Sequence, residues 1–130
     1  MALVLTTILR DDLADQITLT IDAGPGVGAL VFETSGDGEV ATCDFVATSF
    51  GAAATGVITL QSTPRSDLSA VGGTIAQFSI FADNGGTPVK ILEGTVTGIS
   101  GGGDIEITSL VIVATEQVDL TSLTITVPAS

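Results

Sequence analysis

The last quarter of the chain, residues 104–130, carries an internal repeat, and the phase of its apolar residues restricts the fold more than any other feature. Ile105-Glu106-Ile107-Thr108-Ser109-Leu110-Val111-Ile112 lies over Val118-Asp119-Leu120-Thr121-Ser122-Leu123-Thr124-Ile125. Thr108/Thr121, Ser109/Ser122, Leu110/Leu123 and Ile112/Ile125 are identical; Ile105/Val118, Glu106/Asp119 and Ile107/Leu120 keep their chemistry. Alternate residues of a strand share a face, so Ile105 and Ile107 point together, yet Leu110 and Ile112 fall on the other parity. Val118 and Leu120 are followed in the same way by Leu123, Ile125 and Val127. A regular strand would turn that second set outward, whereas a one-residue insertion at each Thr-Ser pair keeps both sets inward. The pattern predicts two bent strands joined by a turn near Thr115-Glu116-Gln117. Bends of this kind carry a chain from one sheet of a sandwich to the other. Two copies do not make a self-sufficient stacked array, so the repeat describes strands and not a solenoid.

Residues 1–24 are the one segment with helical periodicity. Leu5, Leu9, Leu13, Ile17 and Ile21 recur every four residues with Ile8 beside them, while Arg10, Asp11, Asp12 and Asp15 occupy other faces. Gly24-Pro25 is a suitable stop. The spacing predicts a helix over about residues 6–16. Ile17-Thr18-Leu19-Thr20-Ile21 alternates strictly and is β-branched, which leaves 17–22 open as helix or strand. Gly24-Pro25-Gly26-Val27-Gly28 lacks the Gly-Lys-Ser/Thr ending of a phosphate loop and reads as a flexible connector.

From Ala29 onward the pattern is β. Leu30 and Phe32 share a face; Ala41, Cys43 and Phe45 do the same in the next strand, and Ala76, Phe78 and Ile80 in a later one. Ser35-Gly36-Asp37-Gly38 and Asp83-Asn84-Gly85-Gly86 supply turns, and the second closes a hairpin with Val89–Thr97. Seven or eight short strands at turn-punctuated spacing predict an all-β fold, an antiparallel β-sandwich or jelly-roll-like domain (residues 25–130) preceded by an N-terminal helix or arm (residues 1–24). At 130 residues the chain is one domain with enough material for a core.

Composition narrows the chemistry. Fifteen acids against three bases give a formal charge of −12, which repels phosphate backbones and anionic membranes, so neither nucleic acid nor membrane is expected as a partner. No apolar run approaches the roughly 18 residues of a membrane span. Met1–Leu5 is apolar, but no basic segment precedes it and Asp11-Asp12 follow, so it does not read as a signal peptide. Without His, Tyr or Trp, a Ser-His-Asp or Cys-His site cannot be assembled. The lone Cys43 falls on an inward face and reads as inert core. Asp83-Asn84, Asp104 with Glu106, and Asp37 with Glu39 offer oxygen ligands beside glycine turns, but none has calcium-loop spacing and Asp, Asn and Gly make turns without a metal. The acids read as solvated surface, the five Phe as core. No catalytic, cofactor-binding or metal-ligating residue is therefore assigned, and the chain is not expected to be an enzyme.

Met1-Ala2-Leu3-Val4-Leu5-Thr6-Thr7, Ser35–Thr42, Phe50-Gly51-Ala52-Ala53, Gly94-Thr95-Val96-Thr97 and Gly102-Gly103-Asp104-Ile105-Glu106-Ile107 resemble small virion structural proteins of tailed phages and prophages. The resemblance spans nearly the whole chain and implies a helical first segment. It carries no catalytic residues. Within a virion, acidic charge suits the outer face of the shell, since packaged DNA would repel it from the inner one. The expectation is a head decoration (cement) protein, a homotrimer on the capsid exterior that binds the major capsid protein and reaches it from the host cytoplasm during assembly. A tail or neck component, or a head-fibre carbohydrate-binding (adhesin) module, is the alternative. Residues 1–22 are expected to anchor or trimerise the protein, leaving 29–127 able to fold without them.

Overall fold

The computed structural model describes residues 3–130; the part of the N-terminal resemblance that falls on Met1 and Ala2 lies outside them. One helix, α1 (Thr7–Ile21), precedes eleven strands: β1 (Ala29–Glu33), β2 (Glu39–Asp44), β3 (Val57–Thr59), β4 (Arg65–Asp67), β5 (Gly73–Thr74), β6 (Gln77–Asn84), β7 (Thr87–Gly98), β8 (Ile105–Ile107), β9 (Val111–Ile112), β10 (Val118–Leu120) and β11 (Thr124–Thr126). The described residues form a small all-β domain with one N-terminal helix. Its main sheet has the order β2-β1-β6-β7-β8, and three two-stranded ribbons, β10-β4, β11-β3 and β5-β9, complete it.

The longest ladder is the β6–β7 hairpin. Asn84 pairs with Thr87 across Gly85-Gly86, both with positive φ, which is the backbone that a two-residue turn matched to strand twist demands. A register shift at Ile80/Phe81 bends the pair. β8 joins the other side of β7 in parallel, Val96 opposite Ile105, through a loop of six residues, Ile99–Asp104. Parallel neighbours ordinarily need a crossover of a dozen residues or more. Here the chain doubles back tightly: Gly103 N donates to Thr97 Oγ1 at 3.0 Å, and Asp104 accepts from Thr95 N at 2.9 Å.

The repeat folds as its phase requires. Ile105, Ile107, Leu110 and Ile112 are all at least half-buried, as are Val118, Leu120, Leu123, Ile125 and Val127. Both residues of each Thr-Ser pair are exposed at the slip. Each copy breaks there into two strands with different partners: β8 pairs with β7 and β9 with β5, then β10 with β4 and β11 with β3. The link between copies turns at Thr115, whose φ is +72°.

The helix runs through the segment left open, ending at Ile21 with Asp22 as its cap. The Thr20 hydroxyl donates to Gln16 O one turn back, and burial of Ile21 rewards the helical spacing, so tertiary packing overrides the strand propensity of Ile-Thr-Leu-Thr-Ile. Thr6 caps the N-terminus, accepting from Leu9 N at 3.4 Å. The helix is no detachable arm. Ala14 and Ile21 are fully buried in the same core cluster as Leu30, Phe45, Ile58 and Ile80, and Leu5 N donates to Ala129 O. Removing residues 1–22 would open that core, against the expectation that 29–127 folds without them.

The core holds Phe32, Phe45, Phe50 and Phe78, with Phe45 and Phe50 meeting edge to face at 5.6 Å. Phe81 departs from the expectation of five core rings: it alternates with the inward Ile80 and Ala82 and stays half-exposed on the outer face of the sheet.

Candidate interaction surfaces

The carboxylates are less of a solvated coat than their positions suggested. Asp11, Asp15 and Asp22 lie on one face of α1 and accept from Gly56 N at 2.6 Å, Ala53 N at 2.8 Å and Ser49 N at 3.0 Å. They thereby hold the small-residue loop 47–56 antiparallel to the helix. Asp67 bridges Thr42 N and Ser69 N, both at 2.9 Å. Asp104 takes Thr95 N, Glu106 takes Gly102 N and Glu116 takes Val113 N. Seven of the fifteen acids thus satisfy backbone donors where the chain leaves regular pairing, which is why a β domain with such short strands tolerates them. Hydrogen bonds from Thr95 hold the Asp104 carboxyl below the usual Asp value, and bonds from Gln117 and Ser66 do the same for Asp119.

Of the three pairs considered for calcium, Asp83-Asn84 shows no side-chain hydrogen bond among the described residues, and the other two are engaged by the protein itself. Asp104 and Glu106 accept the backbone donors just named, Asp37 accepts from Gln77 Nε2, and Glu39 accepts from the Thr42 hydroxyl at 2.6 Å. Among the described residues no group of three or more Cys, Asp or Glu is placed to hold a metal ion. Cys43 is fully buried, with Sγ 3.8 Å from Val118 O, and burial pushes its thiol up to about 11, away from the thiolate that redox or nucleophilic chemistry needs. The Gly24–Gly28 segment is a close-packed crossing and not a loose connector. A Cβ on Gly24 would lie 1.3 Å from Asp83 O, and one on Gly28 2.7 Å from Phe81 O.

Two surfaces remain unpartnered. The first is the outward face of α1. Its polar side is turned inward, where Arg10 donates to Val127 O and Thr55 O at 2.9 Å beside the three aspartates. Consequently the apolar stripe read from the sequence divides: Ile17 and Ile21 pack inward, while Ile8, Leu9 and Leu13 face out, joined by Leu19 and continued by Leu3 and Val4. Ile8 is 77% and Leu19 63% exposed, which leaves a row of outward aliphatic side chains with Asp12 and Gln16 exposed among them. Periodicity located this stripe but could not say which side of the helix its own domain would take.

The second is the outer face of the main sheet, which forms an open groove of about 630 Å³. Ala29, Val31 and Phe81 form its floor; Glu33, Asp37 and Glu39 stand at one end, Asp44 and Asp83 at the other. The free edge of β2 beside it is sealed. Thr42 N is taken by Asp67, Val40 O by Gly72 N, and Asp44 O by Arg65 Nε at 2.7 Å, which blocks strand addition there.

Among the described residues no helix is long and apolar enough to cross a membrane. Comparison with family models, with curated proteins and with solved structures finds no match.

Proposed function

We propose that this chain is a virion structural protein of a tailed phage, a head decoration (cement) protein that binds the outer face of the major capsid lattice as a homotrimer and stabilises it. The observation that carries the reading is the orientation of α1. One donor, Arg10, and three acceptors, Asp11, Asp15 and Asp22, fix one side of it on the domain, so a row of aliphatic side chains, interrupted by Asp12 and Gln16, is presented outward on a body of net charge −12. A row of that kind is suited to burial against protein, and acidic charge around it disfavours DNA and anionic lipid. The sequence resemblance to small virion proteins supports the same class. In this reading the five-stranded sheet and the three ribbons are the two layers of a sandwich, closed by the bent strands of the repeat. Binding only to the assembled shell stabilises it by mass action.

Copy number per virion, counted by quantitative mass spectrometry with the protein located by electron microscopy through a C-terminal label, tests the proposal. Hundreds of copies over the head are expected. A few tens confined to neck or tail would replace the decoration role with the tail alternative, and total absence from virions would overturn the class. Light scattering of the purified protein tests the trimer, with a monomer at all concentrations as the contrary result.

A further inference from the structure

We propose that the outer groove of the main sheet is a docking site for an extended segment of a partner protein with the pattern cation–x–apolar–x–cation. The proposal does not require the decoration reading, because it names the chemistry of a segment whichever protein carries it.

Spacing is the first argument. On β1, Glu33 lies four residues from Ala29, about 13 Å along the strand, and residues i, i+2 and i+4 of an extended ligand present side chains over the same span. Register places Glu39 opposite Glu33 at one end, and Asp44 opposite Ala29 at the other, where Asp83 lies just beyond. Val31 lies between, while Phe81 stands opposite Ala29 at the Asp44 end. The groove is therefore acidic at both ends and apolar in the middle. One Lys or Arg at each end, with an aliphatic residue between them, matches it side chain for side chain.

Charge is the second argument. Among the described residues no Lys or Arg lines the groove. The chain has three cations: Arg10 is bound to carbonyls at the far side of the domain, Arg65 reaches the groove edge but spends Nε on Asp44 O, and Lys90, on the neighbouring strand, pairs with Glu93 at 3.1 Å. Lys90 stands opposite Phe81 and offsets part of the charge of Glu33 and Asp37, but among the described residues no groove acid has a Lys or Arg side chain within ion-pair distance.

Glu33 supplies the third. It is only 5% exposed, yet its single protein donor is the Ser79 hydroxyl, 2.6 Å from Oε1; among the described residues nothing donates to Oε2. Oε2 keeps access to solvent, and an arriving ammonium or guanidinium adds a charged donor there. Phe81 adds a ring face on an otherwise open sheet, against which the stem of an Arg or Lys packs.

The test uses the full-length ¹⁵N-labelled protein and the capped peptide Arg-Ser-Leu-Ser-Arg, with Glu-Ser-Leu-Ser-Glu as its inverse. Saturable amide shifts are expected at Val31, Glu33, Thr42, Phe81 and Asp83 with the first peptide and none with the second. The variant E33Q should weaken binding at least tenfold. E39Q/D44N, at two exposed side chains, should do the same and keeps the test valid should E33Q fail to fold. D12N/D119N removes as much charge elsewhere and should leave binding unchanged. If that control loses as much affinity as E39Q/D44N, attraction to net charge alone explains the binding and the groove is refuted. Calcium chloride shifting the same amides while the peptide shifts none would also overturn the proposal in favour of a metal.

Discussion

The two copies of the C-terminal repeat, Ile105–Ile112 and Val118–Ile125, share their apolar phase and their exposed Thr-Ser slip but not their surroundings. The first copy enters the main sheet in parallel at its margin, held by a tight glycine loop, and Ile107 stays half-buried. The second runs antiparallel to two strands of the preceding chain, leaves Leu120 only 6% exposed and meets Cys43 Sγ, and just beyond it Val127 O takes the Arg10 guanidinium. Nearly equivalent sequences therefore bend in the same place and hide the same positions, yet differ in how strongly the domain depends on them. Local pattern decides the face; the rest of the chain decides the partner.

Deleting a slip residue is the strongest way to break this comparison. Loss of Ser122 would turn Leu123, Ile125 and Val127 toward solvent at a cost of about 4 kcal/mol, and loss of Ser109 would turn only Leu110 and Ile112, costing about 2–3 kcal/mol. Urea unfolding followed by circular dichroism measures both; unchanged midpoints would mean that the Thr-Ser pairs do not set the phase. Next in size, Leu120→Ala should cost about 3 kcal/mol and its counterpart Ile107→Ala about half that, because only the buried site leaves a cavity. Equal losses in the same assay would erase the distinction between copies. Arg10→Ala should cost about 1.5–2 kcal/mol through loss of charge-assisted bonds to Val127 O and Thr55 O, a link the first copy lacks. Amide exchange should rise around Val127 and leave Ile105–Ile107 unaffected.

The smallest effect is acid titration. Asp104 precedes the first copy and Asp119 lies within the second, and both carboxyls are held below the ordinary value of 3.8. A depressed carboxyl contributes stability that is complete above the unfolded value and is lost as pH falls through the folded one. Thermal midpoints should accordingly hold steady from pH 7 to about 5 and fall below pH 3.8, less steeply in Asp104→Asn or Asp119→Asn than in the parent. A fall of equal steepness in both variants would remove these two groups from the account.

Much of the strand placement could be read from alternation and turn residues, because period two and Asn-Gly-Gly chemistry are local properties. The helix end was not legible: Ile17-Thr18-Leu19-Thr20-Ile21 satisfies either period until Ile21 finds the core. The interaction surfaces were partly legible. The apolar stripe of α1 is visible in the sequence, but its outward turn results from Asp11, Asp15 and Asp22 meeting backbone donors some 27–45 residues away. The groove was not visible at all, since its acids come from β1, β2, the turn between them and β6, and only register brings them to two ends of one face.

By itself the sequence determined that this chain is an acidic β domain with an N-terminal helix, lacking the side chains for a histidine-based active site, and that its last quarter bends twice. Those follow from composition and from apolar period, which act within a few residues. Tertiary structure alone decided which side of the helix faces solvent, which strands the two repeats join, and that carboxylates bind backbone donors in some places and collect around a groove in others. Those outcomes depend on contacts between residues far apart in the chain, where the choice among partners is made by the summed packing of the whole domain.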